Sequence, residues 1–258
     1  MDNSTGFVGG GRVARILLRG FSNAGAALRN VVVSDTNVEA LDRLKSEFPD
    51  IKTVCCNNGQ AAFRDIVFLA VHPQAIRDVL SEIRSHLKPT SKLVSLAPKY
   101  TIERLAAGLA GFDRIVRMIP NAPSIVNSGY NPIAFSPSLS EEDRQDILSL
   151  VGCLGQSPVV DEGDLEAYAV VTAMGPTYFW FQWAKLVELA VSFGLGRPEA
   201  EAGVASMLTG AVNAMFRSGM GASEVADLIP VKPLGVHEAA FTEAYQSILT
   251  ALFRRLKE

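Results

Sequence analysis

The sequence predicts an α/β fold in which a doubly wound, mainly parallel sheet is followed by a domain built only of helices. In the first 160 residues, short apolar runs alternate with helical patterns, as in successive β-α-β units. One run, Ile66–Val71, is apolar at every position, which is typical of a strand buried on both faces. From Asp164 onwards only helical patterns remain. We therefore predict one domain over residues 1–160 and a second over residues 161–258.

Strands and helices of the first domain follow from local composition and spacing. Val31, Val32 and Val33 are β-branched and favour a strand, whereas Val38, Leu41 and Leu44 recur at helical spacing. On such grounds we predict strands at residues 5–8, 31–33, 52–55, 66–71, 93–96, 114–118, 133–135 and 157–160. Helices are predicted at residues 12–18, 37–48, 75–87, 101–109 and 141–154.

The second domain is predicted to begin with one long helix over residues 165–193. Its four crowded aromatic residues face several directions, so the helix needs cover on most sides: Phe179, Trp180, Phe181 and Trp183. A domain of roughly a hundred residues cannot supply that cover alone, which favours burial against a second subunit. Further helices are predicted up to Arg217, at a short segment with Ser223 as its N-cap, and over residues 236–256 after Pro230 and Pro233.

Composition excludes several classes of protein. Hydrophobic residues make up 48% of the chain and the formal net charge is -3, so we expect a large core and no nucleic-acid partner. The three cysteines do not suggest a disulfide framework: Cys55, Cys56 and Cys153. Neither they nor the histidines have the spacing of a metal site. Without an apparent signal peptide or a membrane-spanning apolar run, a cytoplasmic protein is expected.

A glycine-rich motif directly follows the first predicted strand and opens the first helix. It matches the G-x-G-x-x-[GA] pattern and comprises Gly9, Gly10, Gly11, Arg12, Val13 and Ala14. Gly9 would allow the tight turn, Gly11 a close approach of a pyrophosphate, and Ala14 close packing of helix on strand. The helix N-terminus would then face the phosphates. The motif in this context predicts dinucleotide binding, the alternative being a glycine-rich turn without a ligand.

Asp35 ends the second predicted strand, where a carboxylate accepts hydrogen bonds from an adenosine ribose. No arginine follows at Thr36 or Asn37 to receive a 2′-phosphate. This favours NAD over NADP, but both cofactors remain open. The alternative is that Asp35 only caps the next helix.

Four segments, in order and at fitting spacings, resemble motifs of the pyrroline-5-carboxylate reductases: Gly6–Ala14, Phe68–Gln74, Arg117–Pro123 and Gly175–Tyr178. The resemblance implies a Rossmann domain followed by a helical dimerisation domain, in a homodimer or larger homo-oligomer. It implies NAD(P)H-dependent hydride transfer from nicotinamide C4 to a cyclic imine, giving proline from pyrroline-5-carboxylate. It also implies which residues line the nicotinamide side: Asn57, Ala70, Val71, His72, Ala97, Pro120 and Asn121.

The substrate half departs from the family. Where the resemblance predicts a Ser-Pro-Gly-Gly-Thr-Thr loop for the substrate carboxylate, this chain has Ile229–Gly235. Replacement donors are therefore considered: Thr172, Tyr178, Lys232 and His237. Each has an ordinary alternative, respectively a hydroxyl bonded to a helix carbonyl, a core or interface tyrosine, a solvated lysine and a surface histidine. A related enzyme acting on another small imine or carbonyl compound, or a non-catalytic dinucleotide-binding module, remains possible from sequence.

Overall fold

The structure is a computed structural model that describes residues 4–258 as two compact units. The first unit extends to Met174 and includes Phe253–Glu258, and the second comprises Gly175–Leu252. The sequence places the boundary at residue 160. The units divide later because the segment after residue 160 bonds to the sheet, with Glu162 and Glu166 accepting hydrogen bonds from Arg117.

The first unit is built on a seven-stranded sheet that confirms the predicted α/β class. Its strands are β1 (Thr5–Val8), β2 (Val31–Asp35), β3 (Lys52–Cys55), β4 (Ile66–Leu69), β5 (Lys92–Ser95), β6 (Ile115–Met118) and β8 (Ile133–Phe135). The order is β3-β2-β1-β4-β5-β6-β8, and all neighbours are parallel except β8, which is antiparallel to β6. The strand order reverses between β1 and β4, which is where doubly wound sheets open a ligand crevice.

A small second sheet corrects one predicted strand. β7 (Gly129–Tyr130) pairs with β9 (Gly155–Gln156), whereas residues 157–160, predicted as a strand, contribute only an isolated bridge between Val159 and Ile133. Pro158 explains the difference, because it has no N–H group with which to continue a strand ladder.

Helices cover both faces of the large sheet. They are α1 (Arg12–Asn23), α2 (Val38–Glu47), α3 (Asn58–Ala62), α4 (Ile76–Ile83), α5 (Ile102–Gly108), α6 (Glu141–Gly152) and α7 (Leu165–Tyr168). On one face Phe7 and Phe68 stack with ring centroids 4.8 Å apart, and on the other Val67 and Leu69 pack among buried aliphatic residues. Helix α3 was not predicted, because five residues are too few to show a helical period.

The second unit contains only helices: α8 (Pro176–Ser192), α9 (Arg197–Arg217), α10 (Ala222–Asp227), α11 (Glu238–Ala244) and the start of α12 (Thr250–Lys257). The single helix predicted over residues 165–193 is interrupted by a π-helical turn at Ala169–Ala173 and a break before Pro176, which cannot donate a backbone hydrogen bond. The predicted last helix is likewise divided by a π-helical turn at Tyr245–Leu249. None of the helices among residues 4–258 is long and apolar enough to cross a bilayer.

The N-cap predicted for the short helix is wrong by two positions. Helix α10 begins at Ala222 with Gly221 as its N-cap, so Ser223 lies inside the first turn. The carboxylate of Glu224 accepts the Gly221 N–H at 2.6 Å, which fixes the start of the helix at that point.

Candidate functional site

The β1–α1 loop lies at the crevice beside the end of β4. Gly9 has φ +104°, a left-handed conformation that favours glycine. A Cβ at this position would lie only 2.6 Å from the carbonyl oxygen of Ala70 and 2.9 Å from the nitrogen of Val71. Gly9 is therefore required both by its backbone conformation and by the close approach of the two loops.

The N-terminus of α1 is available to an anion. Gly11 is its N-cap and supplies no side-chain acceptor to the first N–H groups of the helix. Gly11 and Arg12 are exposed, and among residues 4–258 no atom beyond Gly11 and its two chain neighbours lies within 4 Å of where a Gly11 Cβ would be. Val13 is half-buried and Ala14 is fully buried against the sheet. The free N–H groups, the helix dipole and the open space together suit a phosphate group.

Asp35, at the end of β2, is bonded to the glycine loop. Its carboxylate accepts the N–H of Gly10 at 2.7 Å and that of Asn37 at 2.8 Å. The N-cap of α2 is Asn37 rather than Asp35, because the Asn37 side chain accepts the N–H of Ala40 at 3.0 Å. Asp35 therefore holds two loops together and remains half-buried at the cleft.

A cleft of about 730 Å³ opens between the glycine loop and α2. Its lining carries three arginines and two carboxylates: Arg12, Arg15, Arg43, Asp35 and Glu47. Arg15 is held by Glu47, with Nε 2.5 Å from a carboxylate oxygen. Burial opposes ionisation of Glu47, but hydrogen bonds from Arg15 and Arg19 outweigh it and lower the pKa of this carboxyl. Arg15 and Arg19 thus favour the ionised form of Glu47. The other two arginines of the cleft, Arg12 and Arg43, are exposed.

Residues predicted for the nicotinamide side follow three neighbouring strands. Ala70, Val71 and His72 come directly after β4, Ala97 comes after β5, and Asn121 comes after β6. Parallel strands end at the same edge of the sheet, so these segments lie side by side. His72 is exposed, and its ring accepts the N–H of Gln74 at 3.5 Å.

Asn121 is buried and bonded within the protein. Its side-chain oxygen accepts the N–H of Tyr130 at 3.0 Å, and its side-chain nitrogen donates to the carbonyl of Thr172 at 3.4 Å. The Asn121 N–H donates to the side chain of Asn131 at 3.1 Å. Asn121 therefore shapes the loop after β6 and ties it to the segment that contains Thr172.

Asn57, which the resemblance assigns to the nicotinamide side, follows a different strand from the other residues of that set. It follows β3, and its side chain caps α3 by accepting the N–H of Gln60 at 3.2 Å. The strand order places the end of β3 beyond β2, beside Asp35, on the opposite side of the crevice from β4, β5 and β6. The adjoining Asn58 donates hydrogen bonds to Glu82 of α4, so the segment also contacts the helix that follows β4, and the assignment of Asn57 to the cofactor site stays a prediction.

The four candidate donors for the substrate behave largely as their ordinary alternatives predict. The hydroxyl of Thr172 donates to the carbonyl of Tyr168 at 2.8 Å. In the second unit, Lys232 and His237 are exposed, and Tyr178 packs edge-on to Tyr245 with ring centroids 5.9 Å apart. Burial, and next the neighbouring Tyr245, raise the pKa of Tyr178.

One charged group was not recognised from sequence. Arg117, in β6, is 1% exposed and pairs with Glu162 at 2.9 Å and with Glu166 at 2.6 Å. We call these three residues the Arg117 triad. An arginine inside an apolar strand was the available signal, because buried charges need partners. The partners lie 45 and 49 residues away, so spacing could not identify them. Among residues 4–258, no group of three metal-binding side chains is found.

Comparison with known proteins agrees with this geometry. The family model described as NADP oxidoreductase coenzyme F420-dependent matches residues 4–99, which include the glycine loop. The chain is 27% identical to pyrroline-5-carboxylate reductase of Escherichia coli K12 over 230 residues, covering 89% of this chain and 85% of that protein. It is 27% identical to the Corynebacterium melassecola enzyme of the same name, covering 96% and 92%.

Solved structures extend the similarity over both units. The pyrroline-5-carboxylate reductase of Coxiella burnetii aligns with a TM-score of 0.76 and 26% identity, over 100% of this chain and 98% of that one. The Plasmodium falciparum pyrroline carboxylate reductase with NADP bound shares the fold, with a TM-score of 0.85 and 21% identity over 99% and 97%. Together with the glycine loop and the motifs in order, these matches show that the chain is similar to pyrroline-5-carboxylate reductases over nearly its whole length.

Proposed function

We propose that the chain is a cytoplasmic NAD(P)H-dependent reductase that converts a small cyclic imine to the amine, with pyrroline-5-carboxylate as the first substrate to test. The observation that carries the proposal is the open glycine loop at the sheet crevice, with α1 presenting uncapped N–H groups, in a chain that resembles these reductases over most of its length. Both NADPH and NADH are retained as cofactors, because the cleft offers arginines as well as Asp35.

The residues present fit a dinucleotide. The space at Gly11, which a side chain would fill, and the N-terminus of α1 would hold the pyrophosphate. Asp35 would face the adenosine ribose, and Ala70, Val71 and Ala97 would border the nicotinamide. The bound reduced nicotinamide would supply a hydride to the carbon of the C=N group. The protein's own task is then to hold the substrate in attack geometry and to exclude water, which needs few acid–base groups.

The second candidate function is the reduction of a different small imine or carbonyl compound. The segment in place of the family's carboxylate-binding loop, Ile229–Gly235, carries one cation, Lys232, and three apolar side chains that are more than two-thirds exposed: Ile229, Val231 and Leu234. Such a segment offers little hydrogen bonding to a carboxylate. We propose Thr172, Tyr178 and Lys232 as the substrate-facing residues to be tested first, with Lys232 as the cation for that carboxylate.

Oxidation of NADH and NADPH, followed by absorbance with and without pyrroline-5-carboxylate, tests the proposal. We expect substrate-dependent oxidation in the wild-type protein and loss of cofactor binding in Gly9→Val, whose side chain would collide with the loop after β4. Cofactor binding without turnover would reject pyrroline-5-carboxylate and favour the second candidate. A wild-type protein that binds neither cofactor would reject the proposal as a whole.

We also propose that the active form is a homodimer or larger homo-oligomer joined through the C-terminal helices. Within Gly175–Leu252, only Gly175 and Ala200 are buried. Large apolar side chains are exposed along this unit instead, among them Phe181 at 65%, Phe216 at 80% and Val236 at 86%. An apolar surface of this extent destabilises a free monomer, and a second copy of the chain is the partner that the resemblance favours.

Light scattering of the purified protein tests this assembly. We expect a mass of at least two chains, and a shift towards one chain in Phe181→Asp, because a carboxylate would be buried without a partner. Phe63→Asp is the matched control, since Phe63 is 59% exposed but lies in the first unit. A stable wild-type monomer, or equal effects of both substitutions, would contradict the proposal.

A further inference from the structure

The Arg117 triad reaches the loop that follows β5. One oxygen of Glu166 accepts two hydrogen bonds, one from the guanidinium of Arg117 at 2.6 Å and one from the backbone N–H of Lys99 at 3.3 Å. One oxygen of Glu162 likewise accepts two hydrogen bonds, one from the guanidinium of Arg117 at 2.9 Å and one from the backbone N–H of Ile102 at 2.7 Å. Two carboxylates from the segment that precedes α8 thus hold both ends of a short stretch of backbone, residues 99–102.

This stretch needs holding because Lys99 has φ +73°. A residue with a Cβ adopts this left-handed conformation only when its surroundings enforce it, and such residues cluster at functional sites. The Glu166 carboxylate stabilises the Lys99 N–H by a charge-assisted hydrogen bond. Arg104 donates to the Lys99 carbonyl at 3.3 Å from the other side.

The stretch lies at the edge of the sheet that the proposed function assigns to the nicotinamide. It follows Ala97, at the end of β5, and the hydroxyl of Tyr100 donates to the carbonyl of Pro73 at 3.4 Å. That bond joins it to the loop after β4, which contains Ala70, Val71 and His72. Among residues 4–258, none of the hydrogen bonds of the triad reaches the glycine loop.

Loss of either carboxylate of the Arg117 triad would leave a buried charge with fewer partners. Arg117 is almost completely buried, so its positive charge must be stabilised by the two carboxylates instead of by water. The side chain of Glu166 is 8% exposed, whereas that of Glu162 is 31% exposed. Glu166 is therefore the better shielded of the two links between the buried arginine and the strained backbone at Lys99.

We propose that Glu166, assisted by Glu162, is a positioning residue that acts through the backbone of residues 99–102 to set the geometry of the nicotinamide half of the cofactor site. The inference rests on the proposed function. It predicts that loss of Glu166 impairs the nicotinamide end while leaving the adenosine end, held by the glycine loop and Asp35, intact.

The test compares Glu166→Ala and Glu166→Gln with the wild type in the full-length protein. The Gln oxygen still accepts the Lys99 N–H, so this variant should retain more activity than Ala. For Glu166→Ala we expect kcat to fall on the order of tenfold or more, since misplaced reacting groups are costly. Binding of ADP-ribose, which lacks nicotinamide, should stay within about twofold, as expected where no contact to the ligand is removed.

Asp143→Asn provides a matched control. Asp143 is another buried carboxylate paired with an arginine, Arg114 at 2.6 Å, but its bonds do not reach residues 99–102. We expect Asp143→Asn to leave kcat near that of the wild type. Equal loss of kcat in both variants, or equal weakening of ADP-ribose and NAD(P)H binding in Glu166→Ala, would overturn the inference and indicate general destabilisation.

Amide hydrogen exchange supplies a measurement without ligand or turnover. The amides of Lys99 and Ile102 should exchange faster in Glu166→Ala than in the wild type, with no such change in Asp143→Asn. Unchanged exchange would overturn the proposed role. Failure of the proposed function is distinguishable, because the wild-type protein would then bind neither ADP-ribose nor NAD(P)H whatever the exchange result.

Discussion

Asp35 has a structural task, and we propose that the same carboxylate also takes part in cofactor recognition. Its oxygens accept the N–H groups of Gly10 and Asn37, so the side chain is oriented before any ligand binds. At the same time it borders a cleft in which Arg12 and Arg43 are exposed. A negative charge disfavours a 2′-phosphate and arginine favours it, so we expect the balance among these residues to determine the choice between NADH and NADPH.

Substitution of these residues should shift cofactor preference in opposite directions. Asp35→Asn is expected to raise the ratio of NADPH to NADH affinity by about fivefold, near 1 kcal/mol at a partly exposed site. Arg43→Ala should lower the same ratio by a similar factor. Cofactor titration by fluorescence measures both, with Arg77→Ala, an exposed arginine on α4, as the control. Equal changes for both cofactors would contradict a role in 2′-phosphate discrimination.

At the scale of secondary-structure elements, capping hydrogen bonds determine where a helix begins. Helix α6 begins with a capping box in which the Ser140 hydroxyl accepts the N–H of Asp143 at 3.2 Å, and the Asp143 carboxylate accepts the N–H of Ser140 at 3.2 Å. Asp143 also pairs with Lys92 in β5 and with Arg114, the residue before β6, so the helix start is joined to the sheet. The cap thus contributes to packing as well as to the helix itself.

Ser140→Ala is therefore expected to reduce the free energy of unfolding of the first unit by about 1 kcal/mol, the usual effect of losing an N-cap. Ser81→Ala, at an exposed serine within α4, should change it by no more than about 0.5 kcal/mol. Urea denaturation followed by circular dichroism compares the two variants. If the two variants were equally stable, the cap would contribute nothing to this helix.

For the whole molecule, ionised carboxylates link stability to pH. Hydrogen bonds from Lys88 and Ser4 lower the pKa of Asp65 from 3.8 to about 2. For Asp143, burial opposes ionisation, but the Ser140 hydrogen bonds and Arg114 outweigh it and lower its pKa as well. Because these pKa values are lower in the folded than in the unfolded chain, the stabilisation is complete above the unfolded pKa and is lost as the pH falls.

We therefore expect the free energy of unfolding to fall between about pH 5 and pH 2. Asp65→Asn should reduce this dependence modestly, by less than about 1 kcal/mol, since the Asp65 side chain is 39% exposed and solvent screens the pair. Asp78→Asn, at an exposed carboxylate that forms no ion pair among residues 4–258, should leave the dependence unchanged. Denaturation at pH 5 and pH 3 measures it; a steeper fall in Asp65→Asn would contradict the assignment.

Local sequence determined the main strands and helices of the first unit and the glycine loop. Continuous apolar runs predicted β4 and its neighbours, and the glycine loop could be recognised because its residues are adjacent and their roles depend on backbone geometry. Ala70, Ala97 and Asn121 were assigned by the family resemblance, and they follow β4, β5 and β6 in the structure. Boundaries were missed where segments were too short, as at α3, or where a proline interrupted them, as at Pro158 and Pro176.

The tertiary structure alone decided which distant residues meet. Only the strand order shows that β3, which precedes Asn57, pairs with β2 beside Asp35, because sequence does not state which strands are neighbours. The Arg117 triad joins residues 45 and 49 positions apart, and the hydroxyl of Thr172 proved to be bonded within its own helix. Backbone propensity and periodicity act over a few residues, whereas burial of charge and the pairing of remote side chains depend on how the whole chain packs.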